Sequence, residues 1–201
     1  MSTSTLHCPP TLVVARHARA EYVESWFSDE GGSLTHEGRR QARALGESLL
    51  DRRVAAVWTS DVSRAVQTAE IVAASLGIGV TACKSLREVF IGDLLGQPFD
   101  VARLHEVCDR WHAGDLDARF PGGESGRDVV ARHVGQLDHI ADQHLGETVL
   151  VVGHQLALGI VLPTLAAGAA GAPDASELAN AACVELVRSG GSWLAAGPAQ
   201  T

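Results

Sequence analysis

The chain has 201 residues, and its 24 acidic side chains outnumber its 16 basic ones, for a formal net charge of −8 at pH 7. This length suits one domain with a sizeable hydrophobic core, and the negative charge argues against a surface built to follow a nucleic-acid backbone or an anionic membrane. Lys84 is the one lysine, so no Gly-Lys-Ser/Thr motif exists and a Walker A nucleotide site is excluded.

Three short apolar runs, each rich in β-branched residues, predict buried parallel strands. These runs are Thr11–Ala15, Val54–Thr59 and Thr148–Val152. Thr35 is expected to cap a helix that continues to about Leu50, and Ser60 or Asp61 is expected to cap the helix after the second strand. Strands that alternate with helices predict an α/β fold with a parallel sheet covered on both faces.

The middle of the chain predicts an inserted cap within a single domain, residues 1–201. A further strand is expected at Ile78–Cys83. The pattern then weakens over about residues 88–128, where we expect the cap, with a short helix at Val101–Trp111. The next helix is long and amphipathic, with apolar residues from Val129 to Ala141, and it leads to the third strand.

The last part of the chain predicts a buried helix and a hairpin. The apolar segment Leu156–Ala172 contains three glycines and is too short to span a bilayer, so we expect a buried helix followed by a loop. Two strands, Cys183–Arg188 and Ser192–Ala196, are expected to form a hairpin around Gly190-Gly191.

The N-terminus and the cysteines predict a cytoplasmic protein. The segment "MSTSTLHCPP" has neither the positive start nor the apolar run of a signal peptide. The four cysteines are widely spaced and form no Cys-x-x-Cys pair, which favours reduced thiols in a reducing compartment.

Polar side chains follow the three predicted strands, where open α/β sheets bind their ligands. Arg16 and His17 end the first strand. Arg64 lies in the first turn of the helix after the second strand, and His154 ends the third. Two arginines, two histidines and nearby helix N-termini predict a pocket for a dianion, and phosphate suits the guanidinium fork.

The same residues predict phosphoryl transfer. A neutral imidazole beside a phosphate is a nucleophile, and in-line attack on phosphorus would produce a phosphohistidine. The departing alkoxide needs a proton, for which Glu88 in "SLREVFIGDLLGQP" is the candidate donor and Asp93 the reserve. By spacing alone, Glu88 is equally well explained as a partner of Arg87 or as a solvated loop acid.

Six segments follow one another along the chain: "ARHARAEY", "LTHEGRRQARALGESL", "TSDVSRAVQTAEIV", "LREVFIGDLLG", "FPGGESGRDVVAR" and "VLVVGHQLAL". In this order they resemble segments of the histidine phosphatase superfamily, which includes the cofactor-dependent phosphoglycerate mutases. The resemblance implies a three-layer α/β/α sandwich and a reaction without metal or other cofactor. It implies that His17 is the phosphorylated nucleophile and that Arg16, Arg64 and His154 complete the phosphate pocket. It also implies that Glu88 donates the proton and later activates water.

The sequence departs from the family pattern beside the nucleophile. Ala18 replaces a usual glycine, Arg19 replaces a usual Glu or Gln, and Gln155 replaces a frequent glycine after the second histidine. Because these changes fall around the pocket, we expect Arg19, Glu21 and Gln155 to contribute to substrate binding. The alternative for Arg19 is an exposed ion pair with Glu21 or Glu24, which would contribute little.

We expect a phosphatase that acts on a small-molecule phosphomonoester. The first alternative is a phosphoglycerate mutase-like phosphotransferase. Mutases that resemble this family are usually longer, whereas this chain ends soon after its last strand with "AAGPAQT", which favours the phosphatase. The second alternative is a non-catalytic protein that binds a phosphorylated ligand, and it ranks last because His17 and Glu88 are both present. No nucleic-acid or membrane partner is expected, and the choice between a monomer and a homodimer stays open.

Overall fold

The computed structural model describes residues 8–22, 25–28, 31–165, 178–189 and 192–198. Its strands are β1 (Thr11–Arg16), β2 (Val54–Ser60), β3 (Val80–Cys83), β4 (Thr148–Gly153), β5 (Cys183–Ser189) and β6 (Ser192–Pro198). Its α-helices are α1 (His36–Ser48), α2 (Ser63–Leu76), α3 (Val101–His112), α4 (Gly126–Gln143) and α5 (Gln155–Leu165). The six strands form one sheet in the spatial order β3-β2-β4-β1-β5-β6.

The apolar strands β1, β2 and β4 pair in parallel at the centre of the sheet, as their β-branched runs predict. Arg16 of β1 lies opposite Gly153 of β4, and Thr59 of β2 lies opposite Val152. The carboxyl ends of the three strands therefore meet at one edge. β3 continues the parallel set beside β2, whereas β5 and β6 add an antiparallel hairpin beside β1.

Successive residues of the central strands face two separate hydrophobic clusters, because side chains alternate across a strand. On β1, Leu12 and Val14 belong to the cluster that contains residues of α4 and α5. Val13 and Ala15 belong to the cluster that contains residues of α1 and α2. One helical layer thus covers each face of the sheet, which confirms the three-layer α/β/α sandwich.

The predicted cap of α1 is confirmed, but that of α2 is wrong. The hydroxyl of Thr35 accepts a hydrogen bond from the first turn of α1. The N-cap of α2 is Val62, whose side chain makes no capping bond. The reason is that β2 continues through Ser60, so this residue is still in the strand, and Asp61 forms an ion pair instead.

Two further boundaries differ from the prediction for local reasons. β3 begins at Val80 rather than Ile78, because the chain leaves α2 through Gly77 at a φ of 69°. α4 begins three residues before the first predicted apolar position, because Ser125 and Asp128 form a reciprocal capping box at its start.

The predicted apolar segment after His154 forms α5, which ends at Leu165 within the described residues. Residues 166–172 of that prediction, and the Gly190-Gly191 turn, lie outside the described ranges. None of the helices that the structure describes has both the length and the apolarity that crossing a membrane requires.

The segment predicted to form the cap contributes α3 and two aromatic residues to the core. Trp111 and Phe120 are buried, and their rings make an edge contact at 5.5 Å between centroids. The indole N–H of Trp111 donates to the carbonyl of Ala118 at 2.8 Å. Both rings belong to the cluster of α4 and α5. The division into one domain with a cap at residues 88–128 stays a prediction.

Candidate active site

The carboxyl edge of the sheet brings together the residues that the sequence analysis had selected from three strands. His17 follows the last residue of β1, and its backbone N–H donates to the carbonyl of Gly153 at 3.0 Å. This bond holds His17 beside the end of β4, where His154 follows. The two imidazole rings lie 5.3 Å apart between centroids. Both are buried, His17 to 2% exposure and His154 to 0%.

The hydrogen bonds of His17 determine which ring nitrogen carries its proton. Nδ1 lies 2.8 Å from the carbonyl oxygen of Ala18, which can only accept, so Nδ1 is the protonated nitrogen. Nε2 therefore has a free lone pair, which accepts from Nε of Arg64 at 3.1 Å. The hydroxyl of Tyr22 lies 3.4 Å from the same atom. The lone pair of Nε2 thus faces a guanidinium.

Burial keeps the His17 ring neutral. It lowers the pKa of His17 from 6.5 to about 3, because a charged ring would lose its hydration. The carbonyl of Ala18 opposes this shift, while the positive charges of Arg64 and Arg16 add to it. At pH 7 the imidazole is therefore the free base, which is the form that can attack phosphorus.

Arg64 reaches His17 from the first turn of α2, as the sequence predicted. Its side chain is buried, and its guanidinium lies 5.6 Å from the centroid of the Tyr22 ring. Gly31 packs against it so closely that a β-carbon there would lie 1.4 Å from Nη1 of Arg64. The position of this guanidinium therefore requires a glycine at residue 31.

His154 is held by a serine whose part in the site the sequence analysis missed. Nε2 of His154 lies 2.6 Å from the hydroxyl oxygen of Ser60, which also accepts from the backbone N–H of Val62 at 3.3 Å. A hydroxyl that donates to Nε2 leaves the imidazole proton on Nδ1, which is buried without a partner among the described residues. Burial lowers the pKa of His154 well below 6.5, and the positive charge of Arg64 lowers it further.

Arg16 is anchored by the segment before β5. Its Nη1 donates to the carbonyl of Leu178 at 2.9 Å, and Asn180 donates from its amide to the carbonyl of His17 at 3.0 Å. Nε of Arg16 is buried and has no partner within the described ranges. Desolvation lowers the pKa of Arg16, and the nearby Tyr22 and Glu88 oppose that shift. Arg16 is therefore the second cation of the pocket, and its Nε–H is available to bind a ligand.

The side chain of Glu88 lies against the N-terminus of α5, the helix that begins directly after His154. Its carboxylate accepts from the backbone N–H groups of Leu156 at 3.0 Å and Ala157 at 2.8 Å, and from that of Val89 at 3.0 Å. Unpaired N–H groups at a helix start favour an anion. The reserve candidate, Asp93, lies elsewhere, against the turn at residues 121–122.

The three predicted substrate-binding residues lie in different settings. Arg19 is exposed, and its backbone N–H donates to the side chain of Gln41 at 2.9 Å. Glu21 is also exposed. Gln155 begins α5 and lines a small cleft between α3 and α5 with Cys108, Trp111, His112, Leu156, Gly159 and Ile160. Their part in substrate binding stays a prediction.

Comparison with known proteins identifies the family of this chain. The family model described as "Histidine phosphatase superfamily (branch 1)" matches residues 12–199. The chain belongs to the histidine phosphatase superfamily. This confirms the family that the six sequence segments had indicated.

Relatives of this member of the histidine phosphatase superfamily carry names of two kinds. "Probable phosphoglycerate mutase GpmB" of Salmonella choleraesuis (strain SC-B67) is 31% identical over 192 residues, which are 92% of this chain and 88% of that protein. The structure named "Bacillus stearothermophilus YhfR" has a TM-score of 0.78 at 26% identity and covers 96% of this chain and 98% of its own. "Mycobacterial hydrolase 1" has a TM-score of 0.72 at 25% identity, with coverages of 92% and 95%.

Three residues make contacts in the site that the sequence analysis did not foresee: Tyr22, Ser60 and Asn180. Ser60 had been interpreted as a helix cap, and no role had been assigned to Asn180 or to Tyr22, although Tyr22 ends the segment "ARHARAEY". The usable indications were the position of Ser60 at the end of an apolar strand and the presence of Tyr22 and Ser60 in two of the six quoted segments. In the described parts of the chain, no group of three or more His, Cys, Asp or Glu side chains is arranged to hold a metal ion.

Proposed function

We propose that this protein is a phosphatase that hydrolyses a small-molecule phosphomonoester through a phosphohistidine on His17. The observation that carries the proposal is the buried, neutral His17 ring, whose Nε2 lone pair contacts Arg64 at 3.1 Å. A lone pair held against a fixed cation suits attack on a phosphoryl group, whose oxygens carry the opposite charge.

In the first step, Nε2 of His17 forms a bond to phosphorus while the bond from phosphorus to the substrate oxygen breaks. The Arg64 guanidinium moves off the lone pair and binds the phosphoryl oxygens together with Arg16. Nδ1–H of His154 offers one more donor. Glu88, in its carboxylic acid form, gives its proton to the departing alkoxide.

In the second step, water attacks phosphorus and the bond to Nε2 breaks. The Glu88 carboxylate takes a proton from this water, so that inorganic phosphate leaves and the carboxyl is protonated again. His17 returns to its neutral state with Nδ1–H still bonded to Ala18. Arg16 and Arg64 stabilise the phosphoryl charge in both steps.

A phosphoglycerate mutase-like phosphotransferase is the second candidate. The observation that favours it is the name of the Salmonella relative, which is 31% identical to this chain. The first step would be the same, but the phosphohistidine would transfer its phosphoryl group to another hydroxyl instead of water. The name "Mycobacterial hydrolase 1", at 25% identity, favours water as the acceptor.

Phosphorus NMR with 3-phosphoglycerate, followed by a panel of sugar phosphates, nucleotides and phosphoamino acids, separates the two candidates. The phosphatase proposal expects inorganic phosphate from at least one substrate, whereas the mutase expects 2-phosphoglycerate with little phosphate. Labelled substrate should leave acid-labile phosphate on the wild type and none on His17→Ala. Turnover of His17→Ala at the wild-type rate would refute both candidates.

We also propose that the protein acts in the cytoplasm. Its four cysteines, Cys8, Cys83, Cys108 and Cys183, are all free, which suits a reducing compartment. A homodimer stays a prediction that sedimentation velocity would test.

A further inference from the structure

We propose that Arg132, paired with Glu124, is the positioning residue that holds the proton donor Glu88 in place. This inference rests on the proposed function, because Glu88 is the acid and base of that mechanism. Glu88 itself lies in an irregular segment between the 3₁₀ turn Lys84–Leu86 and the 3₁₀ turn Gly92–Leu94. Such a segment needs contacts from outside itself to keep one conformation.

The guanidinium of Arg132 uses all five of its N–H groups, and three of them bind the segment that carries Glu88. Nη1 donates to the carbonyls of Ser85 at 3.0 Å and Arg87 at 2.7 Å, and Nη2 donates to the carbonyl of Glu88 itself at 3.0 Å. The other two groups, on Nε and Nη2, donate to the carboxylate of Glu124 at 2.7 and 2.9 Å. No other side-chain type offers this planar fork of donors.

Glu124 holds the same segment from its other end. Its carboxylate accepts from the backbone N–H of Phe90 at 2.8 Å, and its own backbone N–H donates to the carbonyl of Phe90 at 2.9 Å. Arg132 and Glu124 therefore bind the backbone on both sides of Glu88. The Glu88 side chain extends from this bound segment to the N-terminus of α5.

The ion pair of Arg132 and Glu124 is largely buried. The side chains of Arg132 and Glu124 are only 20% and 21% exposed, and they lie where α4 faces the 3₁₀ turn Lys84–Leu86. Arg127 of the same helix provides a contrast, since its ion pair with Asp117 is 66% and 74% exposed. A largely buried bidentate pair is ordered, whereas exposed pairs contribute little.

Displacing Glu88 has a specific chemical consequence. Proton transfer requires the donor within about 3 Å of the leaving oxygen, and a misplacement of about 1 Å can cost about 10²-fold in rate. Poor leaving groups depend on this proton and good ones do not. The loss of Arg132 should therefore slow the phosphorylation of His17 by an alkyl phosphate, and it should slow the hydrolysis of phosphohistidine for every substrate.

The test compares Arg132→Met with the wild type in rapid-mixing experiments, using p-nitrophenyl phosphate and an alkyl phosphate as substrates. We expect the variant to keep the fast burst of p-nitrophenol, to slow its steady-state release, and to accumulate phosphohistidine. With the alkyl phosphate, the phosphorylation step itself should slow by about 10²-fold. Arg127→Met is the matched control on the same helix and should leave both reactions unchanged.

A double-mutant cycle separates positioning of Glu88 from a general structural role. Glu88→Gln should show the same leaving-group dependence, and Glu88→Gln/Arg132→Met should be no slower than Glu88→Gln alone. Additive losses, or a burst slowed as much as the alkyl reaction, would overturn the inference. Should Arg132→Met not fold, Glu124→Gln carries the same test.

The result also distinguishes this inference from the proposed function. If the wild type forms no phosphohistidine, or if Glu88→Gln shows no leaving-group dependence, the proposed function fails and this inference fails with it. If Glu88→Gln shows the dependence while Arg132→Met and Glu124→Gln do not, the proposed function stands and only the role of Arg132 is overturned.

Discussion

The buried, neutral His17 predicts that acid destabilises this protein from about pH 6.5 downward. The pKa of His17 is 6.5 in an exposed chain and about 3 in the folded one. Between these values the unfolded chain binds a proton that the folded protein does not bind. Protons therefore favour unfolding in this range, so the free energy of unfolding falls as the pH falls. The stabilising contribution is complete above pH 6.5 and is lost by about pH 3.

The magnitude follows from the length of the pH interval. Each pH unit in this range lowers the free energy of unfolding by about 1.4 kcal/mol for one such histidine. From pH 6.5 to pH 5.0, His17 alone should therefore cost about 2 kcal/mol. Domains are typically stable by about 5–15 kcal/mol, so this loss is measurable. Burial also lowers the pKa values of His133 and His154, which add to the wild-type pH dependence.

Replacing His17 with glutamine removes its share of this pH dependence. Urea unfolding followed by tryptophan fluorescence at pH 6.5, 5.75 and 5.0 measures it, since the chain has four tryptophans. Between pH 6.5 and 5.0, His17→Gln should lose about 2 kcal/mol less stability than the wild type. His36→Gln, at an exposed position of α1, is the control and should match the wild type. Parallel curves for His17→Gln and the wild type would refute the assignment of a neutral, desolvated His17.

Two further substitutions test the supports of the site. Gly31→Ala should lower kcat/KM, because the new β-carbon would lie 1.4 Å from Nη1 of Arg64 and must displace the guanidinium. The control is Gly79→Ala, whose new β-carbon would meet no atom within 4 Å. Equal kcat/KM values for the two variants would contradict this role of Gly31. Ser60→Ala leaves Nε2 of His154 without its partner at 2.6 Å and should cost about 1–3 kcal/mol in the free energy of unfolding. Urea unfolding at pH 7 measures that loss, and an unchanged midpoint would show that this hydrogen bond contributes nothing.

The strands and the layer order could be predicted because burial on both faces of a sheet requires runs of apolar residues. The predicted strands Thr11–Ala15 and Thr148–Val152 each fall one residue short of the observed end. The same one-residue extension of β2, to Ser60, made the predicted cap of α2 wrong. Strand ends are hard to predict because the last residues can be polar and still pair, as Ser60 does with Cys83 of β3.

The sequence by itself determined which residues could carry the chemistry. Arg16, His17, Arg64 and His154 each adjoin the carboxyl end of an apolar strand, and parallel strands bring those ends to one edge of the sheet. Nothing in the local pattern indicated what state these side chains would be in. A side chain's position along the chain follows from its own segment, and its protonation depends on atoms from other segments.

Only the tertiary structure decided that His17 is neutral, that its proton lies on Nδ1, and that Glu88 reaches the N-terminus of α5. The hydrogen bonds of Glu88 to α5 join residues 68 and 69 positions apart, and those of Arg132 to the Glu88 segment join residues 44 to 47 positions apart. Desolvation and hydrogen bonding depend on distances of a few ångströms between such remote segments, and those distances exist only in the folded chain.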